Sequence, residues 1–82
     1  MSSHSIKIPK RYGASGAKRR SEDLEYNRLA GIIESYLNKE YEKHGAGVYP
    51  YDLICSDLKI SYDSVSLILL AAGGGNTAIG LK

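Results

Sequence analysis

The sequence has little of what holds a small domain together covalently or through a metal. It contains one cysteine, no tryptophan and no phenylalanine among 82 residues. Cys55 alone cannot form an internal disulfide, and with only His4 and His44 as further soft ligands a structural zinc site is not expected. We therefore expect no metal, no cofactor and a reducing compartment, with the protein cytoplasmic or associated with the nucleoid.

Long apolar runs are also missing. The longest, Leu67 to Ala72, is six residues, whereas a membrane-spanning helix needs about 20. The first twenty residues lack the apolar stretch of a signal peptide. These features predict a protein without a membrane segment.

The formal net charge of the whole chain is only +2, but the charges are unevenly distributed along it. Residues 1–20 hold six Lys/Arg and no acid, whereas residues 21–82 hold five Lys/Arg against nine Asp/Glu. A segment of charge +6 thus precedes a body of charge −4. Because residues 1–20 have few apolar side chains, we expect them to form a flexible, mostly disordered basic arm.

Residues 21–82 show the periodicity of a mainly helical domain. A first helix is predicted over about 22–44, with Ser21 as its N-cap and Gly45 at its end. Gly31 lowers helix stability by about 1 kcal/mol relative to Ala, so we expect it to mark a close contact with another backbone. The apolar stripe of this helix is Leu24, Leu29, Ile32, Ile33, Tyr36, Leu37 and Tyr41.

Two shorter helices and two short strands should follow. Residues 48–49 suggest a strand, and Pro50 fits the first position of a second helix. Ser61 fits the N-cap of a third helix that ends at Gly73–Gly75, and a strand over 77–81 closes the chain. The expected core positions of the two helices are Leu53, Ile54, Leu58, Val65, Ile68, Leu69 and Ala72.

Residues 51–70 resemble the helix-turn-helix family. Cys55 is the small residue of the first motif helix, and Lys59 stands where the family usually has the turn glycine. The apolar positions of the motif are Ile54, Leu58, Ile60, Val65 and Ile68. With the flanking strands, the resemblance implies a three-helix, winged-helix-like domain at 21–82 with a rudimentary two-strand wing. An unrelated three-helix packing with the same periodicity is the alternative.

The resemblance implies that the outward face of the third helix contacts DNA. Base reading favours Arg, Lys, Asn and Gln, and none of these lies between Ile60 and Gly75. Asp63 has the wrong sign for a phosphate. Only Ser61, Tyr62 and Ser66 remain as hydrogen-bonding contributors on this helix.

The basic arm is the stronger nucleic-acid candidate, because flexible cations bind phosphates by releasing counterions. Tyr12 lies beside the Lys10–Arg11 pair and can stack on a base. These features predict a small non-enzymatic regulator that binds nucleic acid, DNA rather than RNA; the alternative for the arm is a solvated charge run. The predicted phosphate-binding cations are Lys10, Arg11, Lys18, Arg19 and Arg20.

A protein-interaction module is the alternative function. Leu67, Leu70 and Tyr62 should then form a partner interface, most simply a homodimer, unless the last strand or the arm covers the leucines. Catalysis is not expected, because Cys55 lacks a basic neighbour and His44 is predicted to lie on the surface. The Gly73–Gly75 run has no following helix, which disfavours a nucleotide site or a small-molecule substrate.

Overall fold

The computed structural model describes residues 6–11 and 16–82, and only the backbone of residues 17–19. Its elements are α1 (Ala17–His44), β1 (Gly47–Pro50), α2 (Tyr51–Leu58), α3 (Tyr62–Ala71) and β2 (Ala78–Leu81). The strands pair antiparallel, with Val48 opposite Gly80 and Tyr49 opposite Ile79. The described chain is thus mainly helical with a small sheet, which is compatible with a helix-turn-helix unit and a wing. None of its helices is long and apolar enough to cross a bilayer.

Helix α1 begins earlier than predicted. Its N-cap is Gly16, which supplies no side-chain hydrogen bond, and the Arg20 N–H donates to the Gly16 carbonyl at 3.1 Å. The prediction of Ser21 as N-cap is therefore wrong, and the boundary drawn after residue 20 falls inside α1. The first turn of the helix carries Lys18, Arg19 and Arg20 and no acid.

The buried face of α1 differs from the predicted stripe. Its buried residues are Tyr26, Ala30, Ile33 and Leu37, at the four- and three-residue steps of one helix face. Leu24 and Ile32, both predicted to be core, are exposed. Gly31 meets no atom within 4 Å of an added Cβ, so it does not mark a close backbone contact.

Helix α2 is anchored by a tyrosine. Pro50 is its N-cap rather than its first residue, and Tyr51 directly after it is completely buried. The Tyr51 hydroxyl donates to the Gly75 carbonyl at 2.7 Å, which ties α2 to the loop before β2. Ile54 is buried as predicted, whereas Leu53 is exposed.

The turn between α2 and α3 takes the conformation that a glycine would adopt. Lys59 has φ 56° and ψ 43°, in the left-handed region. Its N–H and that of Ile60 both donate to the Cys55 carbonyl, so the end of α2 is closed by backbone bonds. Lys59 thus adopts here a left-handed conformation that glycine reaches without a Cβ clash.

Helix α3 follows its sequence pattern closely. The Ser61 Oγ accepts from the Ser64 N–H at 3.2 Å, which confirms Ser61 as N-cap. Val65, Ile68 and Leu69 are buried. After the helix, the Gly74 N–H donates to the Leu69 carbonyl at 2.8 Å, which reverses the chain toward β2.

Candidate nucleic-acid interface

Residues 6–11, which we name the N-terminal strap, lie against α1. Ile8 is only 3% exposed and belongs to the same core cluster as Ile33 and Leu37. Ile6 packs against the edge of that cluster. The prediction of a disordered arm is therefore wrong for the strap, because two apolar side chains and a set of hydrogen bonds are enough to order it.

Polar side chains of α1 hold the backbone of the strap. The Ile6 N–H donates to Asn38 Oδ1 at 2.9 Å, and the Ile8 N–H donates to Glu34 Oε1 at 2.8 Å. Asn27 makes two bonds to Arg11, accepting from its N–H and donating to its carbonyl, both at 2.8 Å. The strap is thus bound along most of its length by residues that the sequence did not single out.

Two predicted phosphate-binding cations of the strap also contact α1. The Lys10 Nζ lies 3.5 Å from Glu34 Oε1 and donates to the Ile8 carbonyl at 3.3 Å. The Arg11 guanidinium lies 4.1 Å over the ring of Tyr26, which is a cation–π contact. Lys10 is half-buried, and Arg11 is exposed.

The strap and α1 together form a row of cations, which we name the basic ridge: Lys7, Lys10, Arg11 and Arg20. Arg20, Asn27 and Glu34 are seven residues apart and therefore lie on one face of the helix. Lys7 and Arg20 are exposed like Arg11, and among the described residues no ion pair involves any of these three cations. Glu34 partly offsets Lys10, and Asp23 lies near Arg20 in sequence.

Three further residues predicted to bind nucleic acid, Tyr12, Lys18 and Arg19, lie wholly or partly outside the described part of the structure. Lys18 and Arg19 have helical backbones in the first turn of α1, and their side chains lie outside the described part of the structure. Tyr12, the predicted stacking residue, lies outside the described residues altogether.

The predicted contact residues of α3 are uncharged hydroxyl side chains, whereas the basic ridge consists of lysines and arginines. Ser61 is occupied as the N-cap and also donates to Ser64 Oγ at 2.9 Å, and Ser66 Oγ donates to the Asp63 carbonyl at 3.1 Å. Tyr62 is 37% exposed, with its ring edge-on to the buried Tyr51. The hydroxyls of Ser61 and Ser66 thus bond groups within α3 and its N-terminal cap.

The outward face of α3 is apolar. Leu67 is 53% exposed and Leu70 is 47% exposed, so neither the C-terminal strand nor the strap covers them. Asp63 lies one helical turn before Leu67 on the same face. Among the described residues, this face carries no cation that would meet a phosphate.

The two candidate surfaces meet at one cleft between α1 and α3. This cleft has a volume of about 330 Å³. Arg11 and Tyr26 line its strap side, Leu67 lines its α3 side, and Glu22 and Glu25 add negative charge. Arg11 and Leu67, predicted for two different functions, are thus neighbours across it.

Three side chains of types that often serve in catalysis, Cys55, His44 and Tyr36, make local contacts in the described part of the structure. No group of three or more His, Cys, Asp or Glu residues among the described residues could hold a metal ion. The Cys55 thiol donates to the Asp52 carbonyl at 3.2 Å, and His44 Nε2 lies 3.7 Å from Glu40 Oε1 on the surface. Burial and a 2.6 Å hydrogen bond to Asp57 raise the pKa of Tyr36, so that tyrosine is not a base at neutral pH.

Comparisons with protein-family models, with curated proteins and with solved structures find no match to this chain.

Proposed function

We propose that this protein is a small non-enzymatic regulator that associates with nucleic acid, DNA in preference to RNA, through its N-terminal cations. The observation that carries the proposal is the basic ridge. It places Lys7, Arg11 and Arg20 on the surface along one face of α1, next to the first turn that also holds Lys18 and Arg19. The preference for DNA rests on the helix-turn-helix resemblance.

The length of the ridge suits a polyphosphate. Arg20 and Asn38, where the strap begins, are separated by 18 residues of helix, which is about 27 Å at 1.5 Å per residue. One DNA strand carries a phosphate about every 3.4 Å along the helix axis. The ridge can therefore face several phosphates at once, whereas the α3 face offers them an acid and two leucines.

The proposal is tested by the salt dependence of binding. Fluorescence anisotropy with a labelled DNA duplex should give a linear fall of log K with log salt, with a slope of about −3 to −5 for up to six cations. Replacing Arg11 and Arg20 together by Gln should make that slope less steep by about 2. Lys39→Gln is the matched control, because Lys39 is exposed on α1 away from the ridge. A slope near zero, or one that the double variant leaves unchanged, contradicts the proposal.

The exposed α3 face supports a second candidate function, a homodimer through Leu67, Leu70 and Tyr62. An apolar face on so small a domain favours an interface. Light scattering at high concentration should give twice the monomer mass for the wild type and the monomer mass for Leu67→Gln with Leu70→Gln. Leu53→Gln on α2 is the control, since Leu53 is equally exposed. A wild-type monomer at high concentration excludes this candidate.

A further inference from the structure

We infer that Asn27, Glu34 and Asn38 are positioning residues for nucleic-acid binding, which hold the strap in register so that its cations follow α1. This inference rests on the proposed function. None of the three residues needs to touch the nucleic acid, because they act on it through the backbone of the strap.

The contacts have the pattern of peptide recognition. An extended segment beside a helix finds no backbone partners there, because the helix bonds its own backbone internally. Side chains of α1 supply the missing partners, as Asn38 does for Ile6, Glu34 for Ile8 and Asn27 for Arg11. The amide of Asn27 satisfies both backbone groups of Arg11.

The two elements match in length. From Asn27 to Asn38 the helix rises about 16.5 Å, at 1.5 Å per residue. From Arg11 back to Ile6 an extended chain spans about the same distance, at about 3.3 Å per residue. The strap can therefore stay in contact with α1 from end to end without a bulge, and its three anchor points fix one register.

This register determines where the cations lie. Ile8 is buried and Ile6 packs at the edge of the core, while Lys7 between them is exposed. Arg11 is fixed at its backbone by Asn27 and at its side chain by Tyr26. Cations that are already ordered lose less conformational entropy when phosphates bind, so a docked strap binds more tightly than a free one of the same charge.

The test compares two substitutions that remove the same charge in the full-length protein. Glu34→Gln keeps an oxygen that accepts from the Ile8 N–H, whereas Glu34→Leu does not. Because both release Lys10 from its ion pair, any difference between them reports on the strap and not on charge. We expect Glu34→Gln to bind a DNA duplex at least as tightly as the wild type, and Glu34→Leu about fivefold more weakly than Glu34→Gln, the value of one net hydrogen bond. Glu34→Gln and Glu34→Leu should show the same slope of log K against log salt, since the two variants have the same number of cations.

Amide hydrogen exchange supplies a readout that does not depend on binding. The Ile6, Ile8 and Arg11 amides should be protected in the wild type and in Glu34→Gln, and should exchange faster in Glu34→Leu. Glu42→Gln and Glu42→Leu serve as the matched control pair at an exposed acid of α1, and these two should not differ from each other.

Each outcome bears on one of the two proposals. Equal DNA affinity of the two Glu34 variants, with faster exchange at Ile8 in Glu34→Leu, overturns the positioning role and leaves the nucleic-acid function standing. Unchanged exchange in Glu34→Leu overturns it as well, because Glu34 would then not hold the strap. Absence of salt-dependent DNA binding by the wild type and by every variant overturns the proposed function itself.

Discussion

Gly74 lies where the loop after α3 passes over the buried end of α2, and its replacement by alanine should destabilise the fold strongly. An added Cβ would overlap the Tyr51 hydroxyl and would lie 2.8 Å from the Leu69 carbonyl oxygen and 3.3 Å from Ile79 Cβ. Neither the Tyr51 hydroxyl nor the Leu69 carbonyl can move freely. Tyr51 is completely buried and bonded to Gly75, and the Leu69 carbonyl accepts the Gly74 N–H.

The cost combines two effects. Forcing a methyl group into a packed site costs about 1–3 kcal/mol. Displacing the Tyr51 hydroxyl leaves buried polar groups unpaired, at about 1–3 kcal/mol. We therefore expect Gly74→Ala to lower the free energy of unfolding by about 2–6 kcal/mol, a large share of the total of about 4–12 kcal/mol for a chain of this length.

Urea denaturation followed by circular dichroism measures this loss. Gly31→Ala is the matched control, because no atom lies within 4 Å of its added Cβ and alanine favours a helix; it should stabilise by about 0.5–1 kcal/mol. Removing the hydroxyl with Tyr51→Phe should reduce the cost of Gly74→Ala by at least about 1 kcal/mol. A cost below about 0.5 kcal/mol, or strict additivity of the two substitutions, would refute the packing described at this loop.

Three further predictions concern the turn, the cap of α3 and the tyrosines. Lys59→Gly should raise the free energy of unfolding by up to about 1 kcal/mol, since glycine adopts the left-handed conformation without a Cβ clash; a loss measured in urea would contradict this. Ser61→Ala should cost about 1 kcal/mol through loss of the N-cap, whereas Ser66→Ala should cost much less, because Ser66 bonds only a carbonyl of its own helix. Burial raises the pKa of Tyr36 and of Tyr51, with the Asp57 hydrogen bond adding to the first. Both groups favour the protonated folded state, so their stabilisation is complete below the unfolded pKa of about 10 and falls as pH rises above it. Tyr36→Phe should make that fall shallower, and absorbance titration of the wild type should show tyrosines that ionise later than free tyrosine.

The elements of the body were predictable because their signals are local. Ser61 caps a helix whose apolar residues repeat every three to four positions, and Gly73–Gly75 cannot continue it. The buried face of α1 was harder to predict. Its apolar side chains cover more than one face, so periodicity alone does not decide which of them are buried. Tertiary packing buries Tyr26 and Ala30 and leaves Leu24 and Ile32 exposed.

The strap was missed because its partners are distant in sequence and individually unremarkable. The alternation of Ile6, Lys7 and Ile8 is typical of an extended segment, but the sequence offers no neighbouring strand to pair with it. The signal that could have revealed its partner is the spacing of Asn27, Glu34 and Asn38, seven and four residues apart on one face of α1. Polar residues with that spacing normally indicate a helix face exposed to solvent. Only the structure, with the strap bound to them, shows that these three side chains bind the backbone of another segment.

The start of α1 connects helix stability with the proposed function. Capping preferences favour a helix that begins at Ser21 with Glu22, Asp23 and Glu25 in its first turn. The helix instead has its N-cap at Gly16, five residues earlier, with three cations at the end where the helix dipole disfavours them, at about 0.3–1 kcal/mol each. This extra turn is what brings Arg20 onto the face that carries Asn27 and Glu34, in line with Arg11. Phosphates bound at this end would reverse the unfavourable term, because negative charge is stabilised by a helix N-terminus and by the cations together. Under the proposed function, nucleic acid thus stabilises the same turn of α1 that completes the ridge.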